Sequence, residues 1–156
     1  MDLDRIDLKI LSAVQRNNRQ TTEELGQIAG ISSTACQRRL KQLREARVIE
    51  ADVSVVSPEA VGRPLMMLIL VDLESYRSDT FDRFKQAIRR APEVMSAYTV
   101  TGNADFVLLV SVRDLLDYEA FTRRFFFDSP AVKNYTTLVV MDRTKVTLAV
   151  PIDIDV

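Results

Sequence analysis

TTEELGQIAGISSTACQRRLKQLR, residues Thr21 to Arg44, decides how the rest of the chain is read. It divides into two short helical patterns hinged on Gly30-Ile31, and the second is loaded with cations. Thr21 can cap the first helix, with Glu24 three residues on to complete a capping box. Leu25, Ile28 and Ala29 then form its apolar stripe. Gly30 supplies left-handed backbone without a Cβ penalty, and Ser32 caps the second helix. On that helix Cys36, Leu40 and Leu43 fall at i, i+4 and i+7 and point inward together. A rotation of about 100° per residue puts Thr34, Arg38 and Lys41 opposite them. Ser33, Gln37 and Arg44 lie on one flank, and Arg39 and Gln42 on the other. A solvated helix face ordinarily mixes acids with bases, yet no acid stands between Ser32 and Arg44. A cationic, polar-faced helix held across a tight turn is suited to the major groove of double-stranded DNA. The expected contacts to bases or phosphates are Ser33, Thr34, Gln37, Arg38 and Lys41, with Arg39 and Arg44 positioning the DNA backbone.

Bulk properties narrow the remaining classes. A chain of 156 residues allows one or two small domains, and 47% hydrophobic with 28% charged residues is the mix of an ordinary globular protein. No apolar run approaches the roughly 18 residues that would span a bilayer, and no signal-peptide pattern opens the sequence, so no membrane partner and a cytoplasmic location are expected. The single cysteine, Cys36, excludes an internal disulfide and reads as a small apolar residue of a helix interface. Histidine is absent, which removes the usual general base near neutral pH and the commonest metal ligand. No metal, no cofactor and no catalytic residue are expected. Net charge is -1, but residues 1–56 hold nine cations against eight acids, a net of +1, leaving -2 for the remainder. Such a near-neutral unit can bind DNA only through a local patch, so weak binding per subunit and a homodimer are expected.

Along the chain, a first helix capped by Asp2 or Asp4 runs to about Asn17, with Leu3, Ile6, Ile10, Leu11 and Val14 as its apolar face. After Arg47, Val48-Ile49 and Val53-Ser54-Val55 alternate as a small β wing, completing a DNA-binding domain over residues 1–56. SPEAVGRP, residues 57–64, reads as a linker. The rest, 65–156, alternates strand and helix patterns. LMMLILVDL at Leu65–Leu73 suits a central strand buried on both faces. Ser78 to Arg90 is helical with Phe81, Phe84 and Ile88 inward. Val94–Thr101 and Asp105–Val112 make a hairpin over Gly102-Asn103. Asp114 caps a helix with Asp117 at the capping-box position and Tyr118, Phe121 and Phe125 inward. Val132 to Met141 is the last long strand, and Thr144 to Val150 adds a short one. The order β-α-β-β-α-β is ferredoxin-like, so the fold class is α+β, a winged helix-turn-helix joined to a ferredoxin-like sheet domain. One face of that sheet lacks helices, and a second copy is its simplest cover.

This arrangement resembles the Lrp/AsnC, or feast/famine, family of transcriptional regulators over nearly the whole chain. The resemblance is carried by LDRIDLKIL at Leu3–Leu11, EELGQIAGISSTACQRRLKQL, PEVMSAYTVTGNADFVLLV at Pro92–Val110 and TTLVVMDRTK at Thr136–Lys145. It implies dimerisation through the sheet domain with further assembly to a tetramer or octamer. It also implies a small-molecule effector, chiefly an amino acid, bound between dimers near the glycine hairpin. The implied effector residues are Thr99, Thr101, Gly102, Asn103 and Asp105 on the hairpin side and Leu138, Val139 and Val140 on the last strand. Chemically, Asp105 can accept an ammonium group while the Gly102 turn offers backbone N–H groups to a carboxylate, or Asp105 can simply close the hairpin.

Three features depart from the family pattern. Arg47 replaces the glycine usual before the wing, Glu50-Ala51-Asp52 replaces its lysine and tyrosine, and Gly26 stands where alanine is common. Arg47 therefore either sits in a strained turn or reshapes the wing, and the two acids disfavour wing contact with phosphate. The alternatives to a ligand-responsive regulator are an enzyme on the same scaffold, as in haem-precursor decarboxylases that resemble this family, and a ligand-independent DNA-architectural protein.

Overall fold

The computed structural model describes residues 2–75 and 77–154. Contacts divide the chain into two compact units, Met1–Val55 with Lys145–Val156, and Val56–Thr144.

The first unit is built on three helices, α1 (Arg5–Val14), α2 (Thr22–Ala29) and α3 (Ser33–Glu45). Asp4 starts α1 by accepting from the backbone N–H groups of Ile6 and Asp7, each at 2.9 Å, while Asp7 returns a bond to the Asp4 N–H. Thr21 and Glu24 form the expected box at the start of α2. Gly30 ends α2 at φ +77°, and Ser32 caps α3. Ile10, Leu25, Ala29, Cys36, Leu40 and Leu43 make the buried core, with Ile6, Val14, Val48 and Ile49 packed around it. Burial raises the Cys36 thiol pKa, in keeping with a core residue rather than a reactive one. Ile28, expected on the inward stripe of α2, is instead 47% exposed. Gly26 has a reason beyond helix propensity: a Cβ there would lie 2.7 Å from the Ile31 carbonyl oxygen, so glycine lets the turn close onto α2.

The expected wing is not formed, since residues 48–55 contain no strand. Instead α3 ends in a Schellman motif, with Val48 N–H donating to the Leu43 carbonyl at 2.9 Å and Arg47 N–H to that of Arg44 at 3.0 Å. Arg47 takes the left-handed position at φ +56°, so it sits in a strained turn, and the wing that would follow it is absent as well. Thr144 to Val150, where a short strand was expected, contain none. They are held to α1 at one point, where the Gln15 amide exchanges two hydrogen bonds with the backbone of Val150, at 2.8 and 3.0 Å.

The second unit is a four-stranded antiparallel sheet, β1 (Leu65–Leu73), β2 (Val94–Thr99), β3 (Phe106–Val112) and β4 (Val132–Val139), in the order β2-β3-β1-β4. Helices α4 (Ser78–Arg90) and α5 (Leu115–Thr122) provide the remaining β-α-β-β-α-β elements. Their buried Phe84, Ile88 and Phe121 pack in one core with Met67, Ile69, Val71 and Leu73 of β1 and Phe106, Leu108, Val110 and Val112 of β3. Thus β1 is not covered on both faces within the chain: Leu68, on the other face, is 37% exposed. A π-helical turn, Arg123–Phe127, continues α5. Its wider winding brings the adjacent Phe125 and Phe126 into the core together. Asp114 caps α5 as expected, but Asp117 accepts from the backbone and guanidinium of Arg113 rather than closing a box on Asp114. Residues 57–64, expected as a linker, are held on this unit, with Arg63 and Ser111 bonded twice and Pro58 buried.

Candidate nucleic-acid interface and effector surface

On α3 the exposed side chains are Ser33, Thr34, Gln37, Arg38, Lys41, Gln42, Arg44 and the terminal Glu45, which keeps the predicted polar face open to solvent. Lys41 has only a loose partner, Glu45 at 3.7 Å, with both side chains largely exposed. The Ser33 hydroxyl shares a 2.8 Å hydrogen bond with that of Thr22, joining the first turns of α2 and α3.

Two cations behave differently from their sequence expectation. Arg39 is bonded to Asp4 at 2.7 Å and Asp7 at 2.8 Å, and its side chain is only 23% exposed. The bonds of Asp7 and then Asp4 raise the Arg39 pKa, so it stays charged. The backbone N–H of Asp7, followed by the Arg39 guanidinium, lowers the pKa of Asp4. Arg39 therefore locks α3 to the start of α1 rather than standing free for phosphate. Asp7, 3% exposed, is the positioning residue that sequence reasoning missed. Its signal was an acid one helical turn before Ile10 and Leu11, on the stripe reserved for apolar side chains. Arg44 pairs with Asp52 at 3.0 Å, so one wing acid meets a cation of α3.

The implied effector residues fall into two groups. Thr99 ends β2, and Thr101, Gly102 and Asn103 are exposed in the hairpin, with Gly102 at φ +116°. Asp105 pins this hairpin to the end of β1, accepting from Leu73 N–H at 2.8 Å and donating its own N–H to Val71 at 3.0 Å. One of its carboxylate oxygens thus closes the hairpin onto β1. Leu138 and Val139 lie on β4 and Val140 just beyond it, on the opposite sheet edge from β2. Three interstrand spacings, about 14 Å, separate those edges, so one chain does not gather both groups into a pocket.

A helix-turn-helix with an open basic face, joined in one chain to a ferredoxin-like sheet domain, defines a DNA-binding regulator with a separate sensing domain. The AsnC-type helix-turn-helix domain matches residues 3–44 and the Lrp/AsnC ligand binding domain matches residues 66–150. The chain belongs to the Lrp/AsnC family of transcriptional regulators. An HTH-type transcriptional regulator of Sinorhizobium fredii is 58% identical over 99% of this chain and 91% of that protein. The leucine-responsive regulatory protein of Haemophilus influenzae is 32% identical over 93% of this chain and 87% of its own length. Among solved structures, a transcriptional regulator of Neisseria meningitidis in complex with L-Met aligns with a TM-score of 0.90 at 31% identity, covering 96% of this chain and 97% of that one. No helix among the described residues is long and apolar enough to cross a membrane, and no cluster among them could hold a metal ion.

Proposed function

We propose that this regulator reads duplex DNA with the exposed face of α3 and that an amino acid alters its assembly and so its grip on DNA. The observation that carries this reading is α3 itself. Its outward side chains, Ser33, Thr34, Gln37, Arg38 and Lys41, are exposed, while Arg39 is tied back to Asp4 and Asp7. A helix fixed in this way presents its polar face without paying for reorientation on binding. Arg38 and Gln37 have the reach for base edges, and Lys41 and Arg44 for phosphate. Arg44 exchanges Asp52 for phosphate when it does so.

Dimerisation follows from the open sheet face. Cross-strand pairing aligns Leu138, Leu68, Leu109 and Ser96 in one row, and Thr136, Leu70, Val107 and Tyr98 in the next. Leu138 is 50% and Tyr98 64% exposed. Pairing this face with its own copy about a two-fold axis buries it. The two effector groups, separated on one chain, come together where such dimers assemble further, between dimers. The Neisseria relative, solved with L-Met, supports an amino acid as ligand. Gly102 and Asn103 would meet its carboxylate and Asp105 its ammonium, with Thr99 and Thr101 beside them and Leu138, Val139 and Val140 against the side chain.

A mobility-shift assay with the protein's own promoter region tests DNA reading, and melting in the presence of each common amino acid tests the effector. Specific retardation with a ligand-dependent melting shift is the expected pair of results. Equal affinity for random DNA would overturn the sequence-reading role, and DNA binding with no ligand effect would leave an architectural protein instead.

A further inference from the structure

Between α4 and the π turn, beside the carboxyl end of β1, the second unit holds a cavity of about 540 Å³. None of the effector residues Thr99 to Asp105 or Leu138 to Val140 lines it. Phe84, Phe125 and Ala87 give it an apolar lining, with the two rings in edge contact at 5.7 Å. Charged groups of both signs reach the same space: Arg124 and Arg83 on one hand, Glu74 and Asp128 on the other, with Arg83 already paired to Asp79 at 2.9 Å.

Their pairing is uneven. Arg124 is bonded through one terminal nitrogen to Glu93 at 2.7 Å, and the Glu93 side chain is only 12% exposed. The second oxygen of Glu93 is buried without a hydrogen-bond partner among the described residues. An arginine anchored by a nearly buried carboxylate is held in place, yet most of its N–H donors remain available. Glu74 and Asp128 have no cation partner among the described residues. The π turn places Arg124 and Phe125 side by side in the lining, and such turns recur at functional sites. A fixed guanidinium, two unpaired carboxylates and an aromatic wall complement a small molecule bearing a carboxylate, an ammonium and an apolar side chain.

We propose that this cavity is a second small-molecule site, contained within one protomer, that takes an apolar α-amino acid. Arg124 meets the ligand carboxylate, Asp128 and Glu74 meet its ammonium, and Phe84 and Phe125 pack against its side chain. This deepens the amino-acid reading and rests on it, but requires no second copy of the chain. Calorimetric titration of the full-length protein with L-methionine, L-leucine and L-phenylalanine tests it, using wild type, Ala87→Trp, Asp128→Asn and Asp105→Ala. Ala87 is exposed on α4, so a tryptophan there fills the cavity without entering the core, and ligand-free melting checks the fold. The expected result is loss of one bound ligand per protomer in Ala87→Trp and about tenfold weaker binding at that site in Asp128→Asn. Stoichiometry and affinity unchanged in Ala87→Trp overturn the cavity, and if Asp105→Ala alone abolishes binding the hairpin effector reading survives. Wild type taking up none of the three overturns both.

Discussion

Arg38 and Arg39 are neighbours in sequence, yet the fold gives them opposite tasks. Arg38 is exposed on the outward face of α3, whereas Arg39 neutralises the buried Asp7. Removing one member of a largely buried pair leaves the other charge desolvated and uncompensated. Arg39→Ala should therefore lower stability by about 2–3 kcal/mol, less than a fully buried pair because the guanidinium keeps some solvent. Urea unfolding measures this, and a loss below about 0.5 kcal/mol would count against the lock. Arg38→Ala should leave unfolding unchanged but weaken operator binding by about 1–3 kcal/mol if it reads a base. Retained affinity and sequence preference remove it from the reading set. Arg47 offers a gain instead. Its left-handed φ of +56° strains a side chain bearing a Cβ, so Arg47→Gly should raise stability by about 1 kcal/mol. A midpoint unchanged or lowered in urea would show that the Schellman turn carries no such strain.

At the scale of elements, the helices were legible because caps and periodicity act locally. Thr21 with Glu24, Ser32 and Asp114 each mark a helix start and each makes a bond to the backbone there. Ser78–Arg90 likewise follows from Phe81, Phe84 and Ile88 at helical spacing. Non-local pairing was not legible. Val53 and Val55 alternate like a strand, but alternation supplies no partner, and the segment stays unpaired. The π turn escaped for a related reason, since RRFFF has no α-helical face that buries Phe125 and Phe126 equally. The candidate site divided the same way: the outward face of α3 could be read from rotation alone, whereas the lock of Arg39 joins residues 32 positions apart. Capping chemistry also sets a pH response. The bond from the Arg113 guanidinium, then that from its backbone N–H, depresses the Asp117 carboxyl below its ordinary value of 3.8. A depressed folded-state pKa contributes stability that is present above the unfolded value and lost as pH falls through the folded one. Stability should thus decline below about pH 4, and Asp117→Asn should flatten that decline. Identical acid limbs for the two proteins would deny the α5 start any part in it. Arg113 is 67% exposed, so the difference is modest.

For the whole molecule, charge and apolar surface lead to one arrangement. Residues 1–56 carry a net charge of only +1, so attraction to DNA must be local, and α3 offers Arg38, Lys41 and Arg44 exposed on one helix. The salt dependence of binding counts neutralised phosphates, and a single α3 contributes few. Two copies joined through their open sheet faces would double that number. Leu68 sits in the middle of that face, paired with Leu109 on one side and Leu138 on the other. An aspartate there is tolerated by an exposed sheet face but faces its own like charge, or an apolar surface, across a two-fold interface. Leu68→Asp should therefore yield a folded monomer, since the helix-covered core on the opposite side is untouched. Its log K against log salt slope should fall to about half, because half the phosphate contacts are lost. Sedimentation reads the first outcome and mobility shift at several salt concentrations the second. A Leu68→Asp protein that remains dimeric would place the interface elsewhere, and a monomer with undiminished slope would mean that one α3 suffices to hold DNA.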